Sequence, residues 1–197
     1  MPRTQEAFRQ IRDSSKQNIL DKAVNVFVKK GLANTKISDL AQAAGISQGL
    51  LYRYFTDKDE IYITLIEQAI NGVTLYAQTA AEFAGTPLEK LRYFTDKILQ
   101  GMSEEEEPVY FQLFAQAIAI PGRLRETLEK LETVTEIIRK IIIAGQKVGE
   151  VVNRDPDQLL LLYLSCLYGL GAGKSYNTSW IDEHFPKSEA VLQIFKA

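Results

Sequence analysis

The tightest constraint in this chain is the three-residue link Gly45-Ile46-Ser47. Before it, Ile37 to Ala44 set Leu40, Ala41 and Ala44 on one small apolar face, the pattern of a short helix that stops at Gly45. After it, Ser47 is a helix-capping residue type, and Gln48 to Phe55 read as a second short helix with Leu51 and Phe55 four apart on its inner side. A glycine-containing turn of three or four residues leaves the second helix crossing the first, which makes a helix-turn-helix.

The flanks continue the helical period. A first helix is expected from about Asp13 to Lys30, with Ile19, Ala23, Val26 and Phe27 on one face and Gly31 stopping it beside Lys29 and Lys30. A fourth starts at the cap Asp57 and steps through Ile61, Leu65, Ala69 and Val73 to about Ala81. Gly85-Thr86-Pro87 restarts the chain into a fifth helix, ended by Gly101. Ser103 and the acidic run Glu104 to Glu107 open the next, which holds the apolar stretch Val109 to Phe114. Pro121-Gly122 breaks it. A long helix, Arg123 to Val148, then carries a seam of Leu124, Leu128, Leu131, Thr135, Ile138, Ile142 and Gly145.

After the turn Asn153 to Pro156, residues Leu159 to Ala172 are apolar on nearly every side. A bilayer span needs about 20 such residues, so this reads as a helix buried all round, in part by a partner chain. Ser165, Gly169 and Gly173 let two helices approach closely, although they suit plain core packing as well. Lys174 to Phe185 reads as a loop and Lys187 to Phe195 as a last short helix. No strand-like alternation stands out. The expectation is an all-α chain of about nine helices: a three-helix helix-turn-helix head at 1–60 and a helical body at 61–197.

The chain's residue types exclude several function classes. One histidine, His184, and one cysteine, Cys166, with no acidic cluster at ligand spacing, argue against a metal site. No Ser-His-Asp set and no glycine-rich phosphate loop is present, so neither an enzyme nor a cofactor is expected. Cys166 cannot form an internal disulfide and suits a reducing cytoplasm; on its apolar helix it is expected to be a buried, inert thiol. The N-terminus lacks a signal-peptide pattern. Residues 1–60 hold 10 Lys+Arg and 7 Asp+Glu, a net of +3, while the remainder holds 13 and 18, a net of −5. A mildly basic head on an acidic body fits a polyanion-binding head, although a split of this size is common.

Ile19 to Ile61 resembles the DNA-binding domain of TetR-family transcriptional regulators. The matching residues are Ala23, Phe27, Gly31, Leu40-Ala41, Ala44-Gly45-Ile46-Ser47, Gly49, Leu51-Tyr52, Tyr54-Phe55 and Lys58. The resemblance implies a homodimer that places its third helices in successive major grooves of a palindromic double-stranded operator. It also implies a body, at 61–197, that dimerises and binds a small-molecule effector, and repression released by that effector. Two positions depart from the family: Lys36 stands where Ser or Thr is frequent, leaving Thr35 or Ser38 to cap, and Gln48 stands where Lys is frequent.

The DNA-contact set expected from this reading is Thr35, Lys36, Ser47, Gln48, Gly49, Leu50, Tyr52, Arg53, Tyr54 and Lys58. The resemblance implies phosphate contacts for the hydroxyls of Tyr52 and Tyr54. Lys58 sits at a helix N-terminus, where the dipole disfavours a cation unless a phosphate docks there too. Gln48 suits adenine, Leu50 a thymine methyl group, and Arg53 guanine or phosphate. Gly49 permits close backbone approach. Met102, Tyr110, Phe111, Phe114, Tyr163, Tyr168 and Trp180 are the candidate effector-pocket residues, although an aromatic stripe equally suits plain core. An effector held near 102–120 is expected to move the fourth helix. The rival is an all-α enzyme or lipid carrier carrying an incidental helix-turn-helix.

Overall fold

The computed structural model describes residues 5–103, 113, 129–174 and 179–196. Among these it holds nine α-helices, one 3-10 turn and no strand. The acidic run 104–107, the pocket candidates Tyr110, Phe111 and Phe114, the break at Pro121-Gly122 and the first turns of the expected long helix lie outside the described residues.

Helix α1 covers Gln5–Asn34, starting earlier than its apolar face predicts, and it is broken at Gly31. There φ is 73°, a left-handed value that glycine adopts without the Cβ clash other residues meet. Its buried face is Ile19, Leu20, Ala23, Val24 and Phe27. Val26, expected on that face, is only half-buried. Helices α2 (Ile37–Ala43) and α3 (Gln48–Leu51) pack on α1 and on each other. Gly45 between them has φ 67°.

Helix α4 (Lys58–Glu82) joins two cores. Its first half buries Ile61, Tyr62, Leu65, Ile66 and Ile70 with the inner faces of α1, α2 and α3. Its second half buries Ala77 and Ala80 in the body. Helix α5 (Pro87–Ser103) runs straight through Gly101, which is buried within it, so the stop expected at that glycine does not occur. Glycine in a helix interior costs only about 1 kcal/mol relative to alanine, a penalty that packing overrides.

Helix α6 (Leu131–Lys147) buries Val134, Ile138, Ile141, Ile142 and Gly145 against α4 and α5. A Cβ on Gly145 would come within 2.5 Å of Val151 Cγ2, so this close turn admits no side chain. Helix α7 (Pro156–Lys174) is capped by Asp155, whose carboxylate accepts the amides of Asp157 and Gln158. It buries Leu159, Leu160, Tyr163, Leu167 and Gly171. Its other face is open: Leu161 is 67 % exposed and Leu162 57 %. Cys166 lies on that open side, so the expectation of a buried thiol is corrected for the single chain.

The expected loop 174–185 contains a short helix, α8 (Ser179–Glu183). The last segment is α9 (Ser188–Val191) running into a 3-10 turn, Leu192–Phe195. That turn is stitched back by Val152 N–H, which donates to the Phe195 carbonyl at 2.8 Å. Phe195 itself is fully buried beside Tyr163.

Candidate functional site

The head presents a short, tightly held third helix. Ser47 caps it, its Oγ accepting the Leu50 amide at 3.2 Å. Beyond Leu51 the helix tightens rather than running regularly to Phe55: Arg53 N–H bonds to Leu50 O and Tyr54 N–H to Leu51 O. Leu51 and Phe55 are fully buried and anchor the segment to α1. At 3.6 residues per turn, Gly49 and Arg53 fall on the side away from Leu51, with Gln48 and Tyr52 on one flank and Leu50 and Tyr54 on the other. Exposure follows that wheel. Gln48, Gly49, Tyr52 and Arg53 are exposed, whereas Leu50 and Tyr54 are half-buried.

Gly49 has an ordinary helical backbone, and a Cβ built on it would meet nothing within 4 Å. Nothing inside the described chain requires glycine at that position.

The entry to α2 differs from expectation. Thr35 is buried, and its hydroxyl donates to the Gly31 carbonyl at 2.7 Å, so it is an internal brace rather than a surface contact. Neither Thr35 nor Ser38 caps α2. Asp39, at the third helical position, accepts the Lys36 amide at 3.0 Å and pairs with Lys30 Nζ at 2.8 Å. The Lys30 ammonium first, and then the Lys36 amide, hold the Asp39 carboxyl below its ordinary pKa. The signal was in the sequence, because an acidic residue three positions after the cap is the reciprocal half of a capping box. Lys36 keeps its exposed side chain at this entrance.

Lys58 is already engaged within the chain. Its ammonium donates to the carbonyls of Leu32 (2.7 Å), Thr35 (2.9 Å) and Ala33 (3.2 Å). All three protons are committed to carbonyls in and just after the last turn of α1, beyond the break at Gly31. The cation therefore answers a C-terminal dipole and needs no phosphate to offset the N-terminal one. The Asp57 carboxylate caps α4 by accepting the Glu60 amide at 2.7 Å.

In the body, the four described pocket candidates do not converge. Met102 and Tyr163 are wholly buried in its core. The Tyr163 hydroxyl lies 2.7 Å from Thr95 Oγ1. Thr95 gives its own proton to the Leu91 carbonyl, so it accepts the one from Tyr163. Burial pushes the Tyr163 pKa up. Tyr168 is 43 % exposed and Trp180 68 %, the latter stacked on His184. Tyr163 and Tyr168 are five apart on one helix, about 140° around it, and cannot both face inward. An open cleft of about 500 Å³ on the body is lined by Asp96, Leu99, Gln100, Lys174 and Phe185, among others, and by none of the described candidates. Among the described residues, no group of three or more His, Cys, Asp or Glu side chains is placed to hold a metal ion. No described helix is long and apolar enough to cross a membrane.

Residues 19–65 match the family described as "Bacterial regulatory proteins, tetR family". The HTH-type transcriptional regulator AcrR of Shigella flexneri is 23 % identical over 169 residues, 81 % of this chain and 79 % of that protein. The crystal structure of PfmR, a TetR family transcriptional regulator from Thermus thermophilus, superposes with a TM-score of 0.76 at 26 % identity, covering 91 % of this chain and 97 % of that one. FadR of Bacillus subtilis, crystallised with stearoyl-CoA, shares the fold with a TM-score of 0.73 at 21 % identity, covering 91 % and 97 %.

Proposed function

We propose, for a chain that belongs to the TetR family of DNA-binding transcriptional regulators, that it is a repressor which grips a palindromic operator as a homodimer and lets go when a small molecule enters its body. The family's members are regulators of transcription and not enzymes. The observation that carries the reading is the surface of α3, where Gln48, Gly49, Tyr52 and Arg53 stand exposed over the anchors Leu51 and Phe55. A helix-turn-helix reads bases with this arrangement: the anchored side fixes the register, and the free side enters the major groove.

In this reading Gln48 and Arg53 face base edges and Gly49 admits the DNA backbone closely. Tyr52, Tyr54 and Lys36 contact phosphates, while Ser47 and Leu50 shape the helix entrance. Residues 1–60 serve as the head and 61–197 as the body. The open side of α7, with Leu161, Leu162 and Tyr168, is the dimer face, pairing with its counterpart across a two-fold axis. The effector is a small molecule held in the body, and stearoyl-CoA, which the Bacillus subtilis protein of this fold holds, is the first probe to try.

The test is binding to the DNA flanking its own gene, titrated with salt. A regulator that neutralises several phosphates loses affinity steeply as salt rises, by about one logarithmic unit of slope per phosphate. Absence of binding at low salt would favour the carrier or enzyme alternative.

A further inference from the structure

We propose that Tyr62 is a positioning residue that ties the DNA-reading head to the body through Leu113. The inference rests on the reading of the head as the DNA-binding part and concerns how that part is controlled.

Leu113 belongs by sequence to the body half of the chain, yet its side chain is fully buried in the head's core, with Ile19, Phe27, Leu51 and Phe55. Its carbonyl accepts the Tyr62 hydroxyl at 2.5 Å. The Tyr62 ring is itself fully buried, edge-on to Phe27 with centroids 5.1 Å apart. The side chain of Leu113 is thus held in the head's core, and its carbonyl by Tyr62, which the first turns of α4 bury in that same core. Both residues are fully buried, so the hydroxyl and the carbonyl meet away from water.

The contact is also well placed to act on DNA binding. Tyr62 is one helical turn beyond Lys58, on the same side of α4. Lys58 in turn holds the carbonyls of Leu32, Ala33 and Thr35, which lead directly into α2. A displacement of Leu113 therefore reaches the end of α1 and the start of α2 through two side chains on one helix turn. Farther along, α4 also packs into the body's own core through Ala77 and Ala80, beyond the head, and carries the exposed Glu67–Lys130 pair, 2.8 Å apart.

Tyr62→Phe in the full chain keeps the ring and removes only the hydroxyl. The expected variant is folded, with amide exchange in the first turns of α4 and the last turn of α1 several-fold faster than wild type. Its affinity for the duplex that wild-type protein enriches from a random pool is expected to fall by about three- to tenfold. The salt slope should stay the same, because Tyr62 touches no phosphate; a residue that merely stabilised the fold would lower the denaturation midpoint and leave the affinity of folded protein alone. Leu113→Ala, or Leu113→Val should the first not fold, weakens binding in the same direction. The double variant falls short of the product of the two single effects, as expected for two parts of one contact. Wild-type exchange and wild-type affinity in Tyr62→Phe overturn the proposal, and so do multiplicative effects of the two substitutions. A wild-type protein that enriches no duplex refutes the reading of the head, while the exchange rates still decide the contact itself.

Discussion

The ammonium of Lys58 lies 2.7 Å from the carbonyl oxygen of Leu32, a residue 26 positions earlier in the chain. With the bonds to Ala33 and Thr35, it closes the end of α1 onto the beginning of α4. Lys58→Met keeps the aliphatic stem and removes the three donors. Such a change should cost about 1–3 kcal/mol of stability, seen as a lower urea midpoint at unchanged slope. An unchanged midpoint with a salt slope shallower by about one would instead make Lys58 a phosphate ligand.

Gly49→Ala isolates the demand that DNA makes on the third helix. The added methyl meets nothing within 4 Å inside the chain, and alanine is the better helix former by up to about 1 kcal/mol. The variant should therefore be as stable as the wild type or slightly more so, yet bind its duplex at least tenfold more weakly. Retained affinity would show that no groove wall approaches this residue.

Gln48→Ala should act on sequence preference more than on affinity in general. Loss of a paired hydrogen bond to one base costs about 1–3 kcal/mol of discrimination at that base pair alone. Repeating the selection with the variant should relax a single position in each half-site. An unchanged preferred sequence would remove Gln48 from the base-reading set.

Leu162→Glu tests the dimer face. Leu162 is 57 % exposed beside Leu161 on α7, so a charge there is harmless to a monomer and costly in a packed interface. Sedimentation of the variant should give half the wild-type mass, with operator affinity collapsing in parallel. A variant with wild-type mass would place the dimer contact elsewhere.

Asp39 makes the head's stability depend on pH. Its carboxyl is held below the ordinary value, first by the Lys30 ammonium and then by the Lys36 amide. A folded pKa lower than the unfolded one gives stability that is full above the unfolded value, near pH 4, and fades as pH falls through the folded one. Asp39→Asn should flatten the acid limb of the stability curve contributed by this group. An identical acid limb in the variant would show that the pair contributes nothing.

The head was legible from sequence where its determinants are local. Gly45, the Ser47 cap and the anchors Leu51 and Phe55 follow from turn chemistry and from spacing within a dozen residues, and each stands where expected. The roles of Lys58 and Tyr62 were not legible, because their partners lie 23 to 51 residues away. A lysine at a helix start looks the same whether it faces phosphate or a neighbouring helix end. Cys166 was misplaced for another reason. A helix without a polar face reads as buried all round, and the sequence does not distinguish cover supplied by its own chain from cover supplied by a second one.

Selection of bound duplexes from a random pool by the full-length protein at low salt tests the central claim most directly. A dimer with its third helices in successive major grooves should enrich an inverted repeat whose half-sites lie about one helical turn, roughly 10 base pairs, apart. Enrichment of no sequence, or of one asymmetric site without a repeated half, would contradict the account.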